Sequence, residues 1–207
     1  MKFIKLEILN LASLDRAGGE VINFEEGVLG ESTIFSIVGP TGSGKSTLLD
    51  AICLALYNRA PRYPRKKKDK DKMEILGTPD EGEKNRLSPK DCRNILTRGK
   101  KEGYSKLTFL ANNGNVYRAE WYVKFKTKNY DDAILSLYKL TSKKGQTVEE
   151  EADWNELPTI IGLGYDQFLR TVLIAQGSFA NFLTASEDDR YQLLEKLIGN
   201  EEIYTKI

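Results

Sequence analysis

Apolar and charged side chains alternate along "KFIKLEIL" (2–9), and that period of two predicts a strand with one buried face. Gly18 and Gly19 mark a turn, and "EVINF" (20–24) then reads as the partner of the first strand. "TIFSIV" (33–38) is a short apolar, β-branched run, the kind expected of a strand buried on both faces. The pattern next changes period. "KSTLLDAICLALYN" (45–58) sets Leu48, Leu49, Ile52 and Leu56 on one helical face. The order is therefore strand, glycine-rich loop, helix.

Residues 59–103 are different in character. "RAPRYPRKKKDKDK" (59–72) is basic and broken by proline, and "GTPDEGEKNRLSPKD" (77–91) is polar and rich in turn residues. This predicts a partly disordered insertion with a short helix between Pro89 and Leu96. Alternation returns at "YSKLTFLA" (104–111), "VYRAEWYVKFK" (116–126) and "AILSLYKL" (133–140), with Asn113-Gly114 in the first turn. Three antiparallel strands are expected there. The segment from 148 to 176 begins acidic, which reads as helical, and ends in the apolar run "TVLIAQ". "SEDDRYQLLEKLIGN" (186–200) has the features of a capped helix: Ser186 at its start, Asp189 three residues on and Gly199 at its end. "NEEIYTKI" begins another helix, with Asn200 as its cap. Two turns are marginal alone in water, so a helix that continues past Ile207 is the expectation.

Composition narrows the chemistry. The chain has 207 residues, enough for one domain with a substantial core, and a net charge of +1. A nucleic-acid footprint must therefore be a local patch. There is no histidine, which removes His-based metal sites and any Ser-His or Cys-His nucleophile. Cys53, among Ala51, Ile52, Leu54 and Leu56, reads as core filling, and with Cys92 it forms no CxxC pair. The first residues lack the unbroken apolar stretch of a signal peptide and no run has bilayer-spanning length. A cytoplasmic location without a membrane partner is expected.

The chemistry sits in "GPTGSGKST" (39–47). It fits GxxxxGKS, the Walker A loop. Gly39, Pro40, Thr41, Gly42, Ser43, Gly44, Lys45, Ser46 and Thr47 are the expected phosphate-binding residues. In such a loop backbone N–H groups surround the phosphates, the lysine reaches the β and γ phosphates, and the serine hydroxyl ligates Mg²⁺. The helix that follows adds its positive dipole end. Hydrolysis needs more, namely an acidic residue at the end of a second apolar strand, and the sequence has no convincing one. It also lacks an Asn-Lys-x-Asp guanine-reading motif and an "SGG" signature.

The blocks "NLASL" (10–14), "FSIVGPTGSGKSTLLDAICLALYNRAPR" (35–62) and "YDQFLRTVLIAQGSFANFLTASEDDRYQLLEKLIGNEEIYTKI" (165–207) resemble the N-terminal ATPase segment of the bacterial SbcC family. These are SMC-like, ABC-type ATPases of double-strand-break repair that work with an SbcD nuclease. The resemblance is weakest over 64–92 and 127–157, and "LIAQGSFANFL" and the ending "QLLEKLIGNEEIY" are its most specific parts. It implies an α/β P-loop NTPase fold: an ABC-type half-head with a mixed central sheet and an antiparallel β subdomain. The implied limits are an N-terminal lobe over 1–197 and the start of a coiled-coil helix over 198–207. The family's signature motif, acidic strand end and switch histidine lie in a C-terminal half beyond the coiled coil, which would account for their absence here.

By the same resemblance, Gln176 is the Q-loop glutamine, completing the Mg²⁺ shell and sensing the γ-phosphate, and Lys45 and Gln176 form the catalytic pair. Ser13 would lie near the nucleotide, and Thr97 and Arg98 are candidate nucleoside contacts, with a solvated turn as the equal alternative. ATP and Mg²⁺ are the implied cofactors. The implied partners are the C-terminal half of the same head, a second SbcC head, double-stranded DNA, and an SbcD-type nuclease docking near 190–207. The basic run offers Arg59, Arg62, Arg65, Lys66, Lys67 and Lys68 as candidate DNA-backbone contacts, with a solvated loop as the equal alternative. Lys124, Lys126 and Lys128 are weaker candidates. Three other readings remain open: a self-contained small-molecule kinase, a transporter-type ATPase, and a DNA-binding module in which Lys45 is dispensable.

Overall fold

The computed structural model describes residues 1–32, 34–63, 91–126, 129–143 and 145–172, together with the backbone pairing of 73–74 with 86–87. The elements are β1 (Lys2–Leu9), β2 (Glu20–Asn23), α1 (Gly27–Glu31), α2 (Lys45–Tyr57), β3 (Met73–Glu74), β4 (Arg86–Leu87), β5 (Glu102–Leu110), β6 (Val116–Lys126), β7 (Asn129–Tyr130), β8 (Ile134–Lys143), β9 (Gln146–Ala152), α3 (Leu157–Ile161) and α4 (Tyr165–Thr171). The chain forms two compact units, Met1–Ile161 and Gly162–Ile207. The expected boundary at 197/198 and the helices from 186 onward lie outside the described residues.

The first unit is built on a sheet in the order β2-β1-β5-β6-β8-β9, with β7 added to the end of β6. The predicted β1–β2 pair and the three strands after residue 102 are all present. Among the described residues every pairing in this sheet is antiparallel. The expected α/β architecture is present, with helix α2 packed on the sheet, and its described strands form one antiparallel layer. β5 pairs with β1 from Leu9 opposite Tyr104 to Lys2 opposite Leu110, so the later strands continue the first two as one layer.

α2 lies across β5 and β6. Alternate residues of the sheet turn Leu6, Ile8, Leu107, Phe109, Ala119, Trp121, Val123 and Leu137 into the core. The sequence pattern predicts an amphipathic helix, but from Ala51 to Tyr57 every residue of α2 is buried. Ser105 donates its hydroxyl proton to the Ala51 carbonyl (2.7 Å), and the Trp154 indole donates to the Ala55 carbonyl (3.3 Å). Those bonds satisfy polar atoms that burial would otherwise make costly.

The second half of the chain corrects an expectation. Residues 148–152 form part of strand β9 rather than a helix. Glutamate-rich runs favour helix in isolation, but cross-strand cations decide here. Arg118 on β6 donates to both carboxylate oxygens of Glu149 (2.6 and 2.8 Å), and Lys143 pairs with Glu150 at 3.2 Å. Arg118 is the main reason that the Glu149 carboxyl lies below its ordinary value.

Of the predicted 59–103 insertion, the described ends are integral to the fold. The expected short helix is a single 3-10 turn at Cys92–Ile95, capped by the Asp91 side chain. Ala60, Cys92, Ile95 and Leu96 are all buried. The Cys53 thiol is buried as expected, and desolvation pushes it up to about 12. Thiolate is the reactive form. At pH 8 the native protein is therefore expected to resist iodoacetamide at Cys53, with labelling only after unfolding. Rapid native-state labelling followed by mass spectrometry would contradict this core placement.

The phosphate loop as candidate functional site

The run expected to be a buried strand before the loop is not one. Residues 34–38 have no partner strand among the described residues, and Ile34 and Val38 are 89% and 83% exposed. A strand needs a neighbour to pair its backbone groups. Among the described residues Phe35 packs on Phe24 at 5.4 Å between ring centroids, and Ile37 is half-buried.

The loop that follows is shaped by its glycines. Gly42 and Gly44 have φ of 84° and 89°, in the left-handed region where a side chain is strained. A methyl group added at Gly44 would also stand 2.8 Å from Leu14 Cδ2. Gly44 is the N-cap of α2, and the first helical bond runs from the Leu48 amide to the Gly44 carbonyl (3.0 Å). The amides of Lys45, Ser46 and Thr47 therefore have no intrahelical acceptor and face the N-terminal end.

Lys45 folds back over the loop. Its ammonium donates to the Gly39 and Pro40 carbonyls, each at 2.7 Å. An ammonium has three donors; two hold the loop closed and the third remains for a ligand. The Ser46 hydroxyl is on an exposed residue at the same rim. Helix-end amides, an ammonium and a hydroxyl form a donor set that fits a phosphate chain with a hard cation beside it.

Two further segments meet this loop. Ser13 Oγ lies 3.6 Å from the position a Gly44 Cβ would take. The Ser13 segment is tied to residues 95–97: the Ala12 amide donates to Ile95 O (2.7 Å), the Thr97 amide to Asn10 O (2.9 Å), and the Thr97 hydroxyl to Ala12 O (2.9 Å). The structure thus brings Ser13 beside the loop and Thr97 onto the segment that carries it, although the Thr97 hydroxyl is already used as a staple. Arg98 is exposed in the turn that follows.

Two residues have roles that the sequence did not disclose. Thr47 is 2% exposed and its Oγ accepts a bond from an Arg62 Nη at 3.1 Å, so its side chain is turned to the protein interior rather than the loop's rim. Arg62 also pairs through Nε with Asp50 Oδ2 at 2.5 Å, so part of its guanidinium is engaged in the fold while the residue stays exposed. Burial raises the Asp50 carboxyl above its ordinary value, and the Arg62 charge opposes that shift. A signal for the pair existed: an aspartate inside an otherwise apolar helix requires a cation. Arg59 is half-buried and Lys124 is exposed. Gln176, Arg65, Lys66, Lys67 and Lys68, the side chain of Lys126, Lys128 and the 190–207 docking segment lie outside the described residues.

The sequence profile of the AAA domain family matches residues 5–207. The chain belongs to that family. Its members bind nucleotide, which agrees with the donor set of the loop. The chain is 39% identical over 95% of its length to the SbcC component of the SbcCD nuclease of Pseudomonas aeruginosa, and 34% identical over 96% to its counterpart from Rhodobacter capsulatus. It is 31% identical over 82% to a probable DNA double-strand break repair Rad50 ATPase of Aquifex aeolicus. It spans 16% of the length of each of the first two relatives and 14% of the third. No helix among the described residues is long and apolar enough to cross a membrane.

Proposed function

We propose that this chain is the Walker A-bearing half of an SbcC-type ATPase head, and that its task is to hold Mg²⁺-ATP until other parts of the head close over it. The observation that carries the reading is a phosphate loop with a donor set suited to phosphate that follows an apolar run in which Ile34 and Val38 are exposed. Such a run fits a strand whose neighbours lie outside the described residues, and the C-terminal half of the same head is one neighbour proposed. The similarity to nuclease components and to a break-repair ATPase supports a DNA-processing role with an SbcD-type nuclease, with two heads joining over ATP and double-stranded DNA as the substrate.

In this reading Lys45 grips the β and γ phosphates and the loop amides surround them. Ser46 and Gln176 hold Mg²⁺, which neutralises charge between the phosphates when bound. Ser13, Thr97 and Arg98 border the nucleoside. Arg59, Arg62 and the 65–68 run remain candidates for the DNA backbone.

The 207-residue chain is expected to bind Mg²⁺-ATP with negligible turnover, and co-expression with the rest of an SbcC-type protein should produce Lys45-dependent phosphate release. Rapid ATP hydrolysis by the purified chain alone would overturn the split-head reading.

A further inference from the structure

We propose that Arg62 is a positioning residue for the phosphate grip, acting through Thr47 and Asp50; this rests on the nucleotide-binding reading above. The geometry is a fork. One edge of the guanidinium meets Asp50 Oδ2 at 2.5 Å through Nε, and an Nη donates to Thr47 Oγ at 3.1 Å. The Arg62 backbone amide adds a third link, donating to Asp50 Oδ1 at 3.3 Å. Thr47 and Asp50 are three residues apart on α2 and so share one face across its first two turns. Arg62 lies beyond the end of that helix, in the chain that runs back alongside it.

The consequence concerns direction. Thr47 is the third residue of α2, and its amide is among those that face the phosphate end. The backbone, not rotation about Cα–Cβ, sets the direction of that amide, so the link acts on the helix as a whole. Tethering Thr47 and Asp50 to Arg62 holds the first two turns of α2, and with them the Thr47 N–H, in place against the chain that follows the helix. A preorganised donor binds an anion more tightly than one that must be ordered on binding. Lysine cannot replace this residue fully: an ammonium satisfies Asp50 or Thr47 as a point charge, whereas the planar fork reaches both.

The test uses the full-length protein, with Mg²⁺-ATP affinity read by calorimetry and folding read by the unfolding midpoint without nucleotide. Arg62→Ala should weaken Mg²⁺-ATP about tenfold, the loss expected from one charge-assisted bond. Thr47→Val leaves the Arg62–Asp50 pair intact, so it tests the grip even if Arg62→Ala folds poorly; it should lose a similar factor. The double variant should be no weaker than either single one, since both remove the same link. Arg62→Lys should restore the unfolding midpoint more fully than it restores affinity. Affinity within twofold of the parent in Thr47→Val would overturn the proposal and leave Arg62 as a packing residue. A loss of duplex-oligonucleotide binding in Arg62→Ala, with ATP affinity unchanged, would instead make Arg62 a DNA contact. Lys45→Ala separates the two levels. If that variant loses ATP and those of Arg62 and Thr47 do not, only this proposal fails; if it keeps ATP, the phosphate-loop reading fails as well.

Discussion

Replacing Lys45 with alanine should lower Mg²⁺-ATP affinity by at least ~100-fold while leaving the unfolding midpoint almost unchanged. Two effects combine. The ammonium is the strongest phosphate donor in the loop, and a hydrogen bond from a charged group contributes about 1.5–3 kcal/mol. The same ammonium also holds the loop in shape through the Gly39 and Pro40 carbonyls, so its loss disorders the remaining donors. Together these exceed the ~2.7 kcal/mol that a 100-fold change represents. The fold should tolerate the change, because Lys45 is only half-buried and its bonds lie within the loop. Lys45→Arg should not recover affinity, since a planar fork cannot take the place of a compact ammonium between two carbonyls. Titration calorimetry with Mg²⁺-ATP gives the answer; affinity within threefold of the parent would mean that this loop is not the phosphate site.

How much of this was legible in the sequence depends on the range of the interaction that decides each element. The phosphate loop was legible because its determinants are local: glycines at left-handed positions, a lysine at the start of a helix, and the apolar pattern of α2. The hairpin around Asn113-Gly114 was legible for the same reason. The Glu149–Glu151 strand was not, because its partners Arg118 and Lys143 lie on other strands, and glutamate's own preference points to helix. The run at 34–38 has the composition of a buried strand, but its burial depends on a neighbour that composition cannot supply. Arg62 was read as one more cation in a basic run. Its pairing with Asp50 crosses twelve residues, and only the cost of a buried carboxylate in α2 hints at it.

Trp121→Ala should cost about 4 kcal/mol of folding free energy, the range found when a large buried aromatic is truncated. Trp121 is fully buried on β6, against the sheet-facing side of α2, and truncation there leaves a cavity that close-packed neighbours cannot fill. A second loss is polar. The indole N–H donates to Asn58 Oδ1 at 2.9 Å. Asn58 ends α2 in the left-handed conformation, with φ of 50°, and its amide caps the Leu54 carbonyl at 2.9 Å. Removing the indole loosens that cap, so the helix that presents the phosphate loop is released at its far end. Trp121→Phe keeps most of the ring volume but not the donor, and should cost about half as much. Against a typical total of about 5–15 kcal/mol, the alanine variant would be marginal or unfolded at 37 °C. Urea denaturation followed by circular dichroism measures both variants on one scale. A loss below ~1 kcal/mol for alanine would show that Trp121 does not anchor α2 to the sheet.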